Sequence, residues 1–429
     1  MQKELKGNRL NMKKILFLTD MWSPRLTANS ICVKNIASVL RQRGWEVYVN
    51  AFEGKTGQED ETVDGVHIEY TRPALPRRLI TQAMFTPELR KRKLIGFAGI
   101  LLNRATRIIG MPCYPIVNPI FAKRWSRRVV EQIQKNNIDV VVSVNAPPDS
   151  IAAGYLAKGE CPEVKWIAYY IDGGSNYGKE QSFLWAKQRL QKKAVKWENA
   201  VLAAADKIVV MEGHSAFYLK VLSPSNCLRL KVLNVPLFNT QQIQPSKKEQ
   251  ADKEIWTYMG SIRDGFYDPE KFFSWFCQYS KIHNAELHLY GTTNMEDYLR
   301  TRCNGKELFY HGSVSHDRVS GILANSDVLC YFRSERLDSV SGKFFEYLMY
   351  RKPIVYFGPK GDINWHQIEK YPLGIAIDQD TGEQTKTFDD IFNSNCVISD
   401  DLLRCVFYTS TPEAFVDVVE KMEEEALKY

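Results

Sequence analysis

The sequence predicts an α/β protein of two domains, each built on a parallel sheet with helices on both faces. Its 429 residues exceed what one hydrophobic core usually supports. In both halves, short apolar runs of strand length alternate with stretches of helical periodicity. Between Asn239 and Lys253 the sequence turns polar and has no apolar period that builds a core element. We therefore expect the domain linker there.

The first domain begins as a strand, loop, helix and second strand. Lys14 to Thr19 form an apolar run, residues 31–43 carry Ile31, Ile36 and Leu40 at helical spacing, and Val47 to Val49 follow Gly44. The alternation then continues with strands at 140–144, 166–171 and 208–211 and a long helix at 183–205. This order predicts a doubly wound, Rossmann-like domain over residues 12–236, with ligands bound where loops leave the carboxyl ends of the strands.

The second domain, over residues 254–410, repeats the pattern. We predict strands at 255–259, 287–290, 328–332 and 353–357, with helices at 271–282 and 344–350. Residues 411–429 contain Phe415, Val418, Val419 and Met422 near helical spacing. They predict an amphipathic helix, which we expect to pack back on the first domain.

Cysteine usage and hydropathy indicate a cytoplasmic protein. The nine cysteines are scattered, with no Cys-x-x-Cys pair, as expected of thiols in a reducing compartment. The first apolar run stops at Thr19 and Asp20, too early for a secretory signal, and no run of about 18 apolar residues is present.

Positive charge is concentrated in residues 72–128. This basic segment holds thirteen Lys and Arg residues against Glu88 alone, whereas the whole chain has a net charge of +7. Apolar residues such as Leu94, Phe97 and Leu101 are interleaved with the charges. The pattern is typical of a helix on an anionic membrane surface, and equally of a basic solvated face over a buried stripe. No recognition motif accompanies the charge, so we expect no nucleic acid partner.

The stretch from Asp338 to Val355 carries the most specific chemistry. Ser341 and Gly342 precede a predicted helix, so free backbone N–H groups and the side chain of Lys343 are available to an anion such as a diphosphate. Glu346 lies three residues after Lys343 on nearly the same helix face. Its carboxylate suits the hydroxyls of a ribose.

This stretch resembles the donor motif of the family 4 glycosyltransferases, which have the GT-B fold. Asp338 and Glu346 match a pair of carboxylates separated by seven residues, Ser341, Lys343, Glu346 and Tyr347 match a Ser-x-Lys-x-x-Glu-Tyr version, and Lys352-Pro353 matches the turn that follows. The resemblance implies that Glu346 binds ribose, Lys343 the diphosphate and Asp338 the donor sugar. Asp338 replaces the usual glutamate, and Arg351 stands where the family usually has glycine.

Weaker likenesses follow in the family's order along nearly the whole chain. Gly260-Ser261 resembles the loop that opens the donor domain, with Arg263 as a second cation for the diphosphate, and Gly312 lies in the strand-and-loop before a donor-domain helix. In the first domain, the resemblance places Asn29 in the first strand-to-helix loop, in place of the usual Gly-Gly pair. Asp172 follows a strand, where its carboxylate either orients an acceptor hydroxyl or caps a turn.

The resemblance implies transfer of a sugar, with retention, from a UDP- or GDP-linked donor to a saccharide or a polyprenyl-diphosphate-linked acceptor, in surface polysaccharide biosynthesis. No cofactor or metal is required by this mechanism. Asp378-Gln379-Asp380 imitates a metal-binding Asp-x-Asp motif, but its position before Thr381-Gly382 favours a loop between strand and helix. We expect a monomer or homodimer, held at the inner face of the plasma membrane by the basic segment.

Two other functions remain open. A sugar-nucleotide 2-epimerase shares the two-domain architecture but consumes no acceptor. A non-catalytic chain would bind a sugar nucleotide or a partner transferase without turnover, and the changes at Asp338 and Arg351 keep this reading open.

Overall fold

A computed structural model describes the chain except for residues 1–11, 25, 117, 146, 176–186, 238–252, 266–268, 304, 334–339, 394–395 and 427–429. The chain divides into two compact units. The first comprises residues 1–236 together with 412–429, and the second comprises residues 237–411.

The sheet of the first unit has eight strands in the order β3-β4-β2-β1-β5-β6-β7-β8. All neighbouring strands are parallel except β3 and β4, which form an antiparallel pair. In the centre, Phe17 pairs with Val49 on one side and Val142 on the other. The strands are β1 (Lys14–Met21), β2 (Glu46–Phe52), β3 (Glu61–Val63), β4 (Val66–Thr71), β5 (Val140–Val144), β6 (Lys165–Tyr170), β7 (Lys207–Met211) and β8 (Leu230–Leu233).

Helices connect these strands. The basic segment forms two helices that pack on each other, α2 and α3, and the first half of a third, α4. Pro119 begins α4, where a missing N–H costs nothing, and Asn118 caps it by accepting from the Phe121 N–H. The helices are α1 (Ala28–Gln42), α2 (Leu75–Phe85), α3 (Leu89–Ile109), α4 (Pro119–Asn136), α5 (Asp149–Glu160), α6 (Lys187–Leu202), α7 (Glu212–Val221) and α8 (Pro224–Cys227).

The second unit has a six-stranded parallel sheet in the order β11-β10-β9-β12-β13-β14. Its strands are β9 (Glu254–Met259), β10 (Ala285–Tyr290), β11 (Leu308–Gly312), β12 (Val328–Phe332), β13 (Ile354–Gly358) and β14 (Gly374–Asp378). Its helices are α9 (Glu270–His283), α10 (Glu296–Arg302), α11 (His316–Asn325), α12 (Gly342–Leu348), α13 (Ile363–Glu369), α14 (Phe388–Phe392) and α15 (Asp400–Phe407). β12 and β13 are buried along their whole length, as parallel strands covered on both faces must be.

The last helix, α16 (Pro412–Ala426), belongs to the first unit, where it packs on α1. Phe415 is fully buried, with its ring 4.6 Å from that of Tyr169 and 6.3 Å from that of Phe17. Arg43 contacts Asp417 at 2.8 Å and Glu420 at 2.5 Å, which fixes the exposed side of the same helix.

The predicted fold class is confirmed, because both halves contain parallel sheets with helices between the strands. The helix expected at 183–205 is described as α6 from Lys187, and residues 183–186 of that prediction lie outside the described residues. Among the described residues, no helix is both long enough and apolar enough to cross a bilayer.

Candidate functional site

In the second unit, three glycine loops meet at the carboxyl ends of neighbouring strands. Gly260 follows β9, Gly291 follows β10 and Gly312 ends β11, with φ angles of 150°, 140° and 72° that side chains rarely adopt. The Gly260 N–H donates to the Tyr290 carbonyl, and the Gly291 N–H donates to the Gly312 carbonyl, both at 2.8 Å. A Cβ on Gly291 would lie 2.0 Å from the Gly260 carbonyl oxygen. The loops are therefore built from backbone in close contact.

Lys343 extends its side chain over this edge. A Cβ on Gly260 would lie 2.2 Å from Cε and 3.0 Å from Nζ of Lys343. Its ammonium also lies 5.3 Å from the ring centroid of Tyr258, a cation–π arrangement. Gly260 and Lys343, two residues predicted for the donor site, are thus brought together, and Ser261 follows directly on Gly260.

α12 is anchored at two points, one just before its first residue and one near its end. The Ser341 N–H donates to Asn364 Oδ1 at 2.8 Å, and the buried Tyr347 hydroxyl accepts a hydrogen bond from the Met259 N–H at 3.0 Å. Gly342 is the first residue of the helix, which has only seven residues. Because the helix is this short, we assign most of the positive potential here to Lys343 rather than to the helix dipole.

Of the other residues predicted for the donor site, two are exposed and one lies outside the described residues. Glu346 is exposed on α12, one turn after Lys343, as the spacing predicts. Arg263 is exposed after the Ile262–Thr293 bridge and has no ion-pair partner among the described residues. Asp338, the predicted sugar contact, lies outside the described residues.

Arg351 has a backbone conformation that explains why the family 4 glycosyltransferases usually have glycine at this position. Its φ is 53°, in the left-handed region where a side chain is unfavourable. Its guanidinium donates to the Leu348 carbonyl at 2.5 Å and also contacts Asp400. These contacts at the end of α12 offset the backbone cost that arginine brings to a glycine position.

In the first unit, two predicted residues meet at the carboxyl end of β6. Asn29 Nδ2 donates to Asp172 Oδ2 at 3.0 Å, and Asn145 Nδ2 donates to the Asp172 carbonyl at 3.2 Å. Asn29 lies in the first turn of α1 and not in the preceding loop where the resemblance placed it, because Thr27 caps the helix before Ala28; from there it orients the Asp172 carboxylate.

A buried carboxyl group supports the turn that follows Asp172. Glu198 accepts hydrogen bonds from Ser175, at 2.9 Å from the N–H and 2.5 Å from the hydroxyl. Burial raises the pKa of Glu198 to about 7, although the hydrogen bonds from Ser175 oppose this rise.

Sequence reasoning missed an acidic and basic cluster beside this turn. Asp20 is the next-to-last residue of β1 and is buried. It accepts hydrogen bonds from Ser30, at 3.0 Å, and from Thr27, and Arg77 lies 3.7 Å away. Burial raises the pKa of Asp20, and it raises the pKa of Asp149 to about 6 while Arg77 opposes the rise. The position of Asp20 directly after the apolar run Lys14 to Thr19 was the available signal.

In the second unit, sequence reasoning missed Tyr258 and Asn364. Tyr258 lies near the carboxyl end of β9, so its position was a usable signal. Asn364 lies on α13, and nothing in the sequence connects it to Ser341.

Asp378 and Asp380 form a turn, as the sequence predicts. Asp378 accepts hydrogen bonds from the Thr381 hydroxyl at 2.8 Å and the Asp380 N–H at 3.3 Å, while Asp380 pairs with Lys271 at 2.6 Å. Within the described residues, no group of three or more His, Cys, Asp or Glu side chains is arranged to hold a metal ion.

Comparison with known proteins identifies the architecture. No protein-family model matches the chain, and no curated protein matches its sequence. Among solved structures, a glycosyltransferase from Rickettsia africae is similar with a TM-score of 0.58 and 11% identity, covering 97% of each chain. The lipopolysaccharide outer core galactosyltransferase WaaB is similar with a TM-score of 0.57 and 10% identity, over 95% of this chain and 99% of that one.

A trehalose-6-phosphate protein from E. coli, bound with UDP-2-fluoro glucose, is also similar, with a TM-score of 0.55 and 8% identity over 97% of this chain and 98% of that one. The chain therefore has the GT-B fold of glycosyltransferases, as its sequence predicts. At these identities the likeness establishes the fold, and the reaction is argued from the site.

Proposed function

We propose that the chain is a retaining glycosyltransferase that uses a nucleoside-diphosphate sugar as donor. The observation that carries this proposal is the placement of Lys343 over the Gly260 loop, with Gly291 and Gly312 beside it. An ammonium group next to backbone that carries no side chains suits a diphosphate, because the ligand can approach the chain closely. The similar E. coli protein bound with UDP-2-fluoro glucose supports a nucleotide-linked donor.

In this proposal, Lys343 and Arg263 stabilise the charge that develops on the departing diphosphate. Fixed cations aimed at a leaving group lower the barrier because they need no rearrangement during the reaction. The exposed Glu346 carboxylate accepts hydrogen bonds from the ribose, and Asp338 contacts the donor sugar. The leaving phosphate oxygen takes the acceptor proton on the same face of the sugar, so the configuration is retained.

We assign the acceptor to the first unit, through Asp172. Asn29 donates a hydrogen bond to Oδ2 of its carboxylate and so fixes the orientation of a group that can accept from a hydroxyl. A saccharide or a polyprenyl-diphosphate-linked saccharide fits a role in surface polysaccharide biosynthesis, and the similarity to a lipopolysaccharide galactosyltransferase supports that class.

We further propose that the basic segment binds the inner membrane surface. On α3, Leu94, Phe97 and Leu101 have exposed fractions of 72%, 66% and 57%, although each is large and apolar. Arg90, Lys91, Arg92 and Lys93 occupy the first turn and a half of the same helix. Exposed apolar side chains next to a cluster of cations suit the interface of an anionic bilayer.

Calorimetric titration with UDP, GDP and their sugar conjugates tests the donor site. We expect one nucleotide to bind the wild type and Lys343→Ala and Glu346→Ala to weaken it about tenfold or more, since each removes a charged hydrogen-bonding group. Lys360→Ala and Glu383→Ala are matched controls, because these two exposed residues pair with each other after β13 and β14, and not at the glycine loops that follow β9, β10 and β11. If no nucleotide binds the folded protein, the proposed function is wrong.

Product analysis separates the enzymatic readings. A transferase consumes acceptor and releases the nucleoside diphosphate, whereas a 2-epimerase returns a nucleotide-linked sugar without acceptor. Nucleotide binding without either product would favour the non-catalytic reading.

A further inference from the structure

A polar cavity in the first unit lies between the loop after β2 and one face of α2. Its volume is about 300 Å³, and its lining includes Glu53, Lys55, Thr56, Arg78, Thr81 and Gln82. None of these residues belongs to the Asp172 or Lys343 clusters.

The wall formed by the loop is fixed to the sheet. The Glu53 N–H donates to the Thr71 carbonyl on β4 at 3.2 Å, and the Gly54 N–H donates to Gln58 Oε1 at 2.8 Å. A Cβ on Gly54 would lie 2.1 Å from the Ser23 carbonyl oxygen, so the loop packs directly on the segment after β1. The cavity is therefore a defined part of the unit.

Two cations that line this cavity form no ion pair with the described residues. Lys55 and Arg78 both line it, and neither has an ion-pair partner among the described residues, whereas the neighbouring Arg77 faces Asp20. Thr56, Thr81 and Gln82 add hydroxyl and amide donors. Two cations with neutral donors on facing walls match the oxygens of a phosphate or diphosphate.

Glu53 adds a hydrogen-bond acceptor, its carboxylate, to the same cavity. It lines the cavity, and its Oε2 is buried without a hydrogen-bond partner in the described part of the chain. A buried carboxylate oxygen without a donor is costly, so the Glu53 side chain would gain a hydrogen bond by turning toward a ligand hydroxyl in the cavity. Phosphate and hydroxyl groups occur together in a phosphorylated sugar.

The cavity lies next to apolar surface. Phe85 and Pro87 line it at the end of α2, and Met84 on the same turn is 54% exposed. α2 packs closely on α3, since a Cβ on Gly99 would lie 3.0 Å from Ile80. The exposed Leu94, Phe97 and Leu101 of α3 thus belong to the same helical pair as the cavity.

We infer that this cavity binds the diphosphate of a lipid-linked saccharide acceptor, an inference that rests on the proposed function. Lys55 and Arg78 hold the phosphate oxygens, Glu53 accepts a hydrogen bond from the attached sugar, and the lipid chain lies along the apolar surface of α2 and α3. The acceptor would then reach the enzyme while its lipid remains in the bilayer.

Binding of farnesyl diphosphate, a water-soluble lipid diphosphate, tests the inference. The titration uses the Lys343→Ala background, so that the proposed donor site binds the probe more weakly. We expect Lys55→Gln and Arg78→Gln each to weaken binding about tenfold, because each loses a charged hydrogen bond. Glu53→Gln should instead tighten binding of this sugarless probe, since it removes a negative charge near the phosphate. Arg104→Gln, an exposed position on α3 outside the cavity, should leave the affinity unchanged.

Further arms identify the source of the phosphate. If inorganic diphosphate binds as tightly as farnesyl diphosphate, or if Arg78→Gln weakens only binding to phosphatidylglycerol vesicles, the assignment to a lipid-linked acceptor is wrong. Equal affinities of wild type and both cavity variants would also overturn it. Titration of the wild type with UDP or GDP distinguishes this inference from the proposed function. If a nucleotide binds but farnesyl diphosphate does not, only this inference is wrong. If farnesyl diphosphate binds but no nucleotide does, the donor-site assignment is wrong.

Discussion

Gly260→Ala tests whether nucleotide binding depends on the position of the Lys343 ammonium and not merely on its presence. The new methyl group would lie 2.2 Å from Lys343 Cε, inside contact distance, so the lysine side chain must move. Because the clash involves the flexible end of a side chain and not backbone, the fold can accommodate it. The variant therefore retains the lysine but displaces its charge from the glycine loops.

The expected magnitudes differ for stability and for binding. A residue with a side chain at a φ of 150° costs about 1–3 kcal/mol of folding free energy. Displacement of the ammonium removes a charged hydrogen bond to the diphosphate, worth about 1.5–3 kcal/mol, which corresponds to a roughly tenfold to hundredfold rise in Kd.

The assay combines urea unfolding with calorimetric titration of the nucleotide that the wild type binds. Gly382→Ala is the control, because Gly382 also has a positive φ of 76° but its Cβ would meet nothing closer than Trp275 at 4.0 Å. It should lose stability and keep full nucleotide affinity. Nucleotide affinity equal to wild type in folded Gly260→Ala would refute the role assigned to the position of Lys343.

Three further predictions concern the first unit. Because the pKa of Glu198 is raised, the folded state binds a proton more tightly than the unfolded state does. The free energy of unfolding should therefore fall by roughly 3 kcal/mol as pH rises from about 4.5 to about 7. Glu198→Gln should abolish this part of the pH dependence, as measured by urea unfolding at a series of pH values. Phe415→Ala should lower the free energy of unfolding by about 3–5 kcal/mol, and amide hydrogen exchange should increase more in α1 and β1 than in β9 of the second unit. An equal increase in both units would contradict this prediction. The double variant Phe97→Ser, Leu101→Ser should sediment less with anionic vesicles at high salt, where charge attraction is screened. Unchanged sedimentation would show that the cations alone hold the protein on the membrane.

The sequence predicts the sheets better than it predicts their surroundings. Buried parallel strands such as β5 and β12 are continuous apolar runs, so composition alone reveals them. Helix faces were harder to assign: Ile31 fits the apolar spacing of α1 but is 38% exposed, while the polar Asn29 and Ser30 are buried. These polar residues are buried because hydrogen bonds satisfy them, which hydropathy cannot reveal.

The candidate site shows the same division. The spacing of Ser341, Lys343 and Glu346 is a local property of one helix, so the sequence predicts it directly. The approach of Gly260 to Lys343 and the hydrogen bond from Ser341 to Asn364 depend on how separate loops meet at the sheet edge. Contacts of that kind are set by tertiary packing, and a single sequence carries no signal for them.

The return of α16 to the first unit affects how the protein can be made. During synthesis, the sheet around Phe17 and Tyr169 is complete long before Phe415 leaves the ribosome, a delay of roughly 10–50 s at ordinary elongation rates. Throughout that interval an apolar patch on the nascent first unit has no cover, which makes it a target for chaperones and a risk for aggregation. A fragment that stops in the linker would keep this patch permanently, whereas one that joins residues 12–236 to 412–426 through a short connection would supply the missing helix.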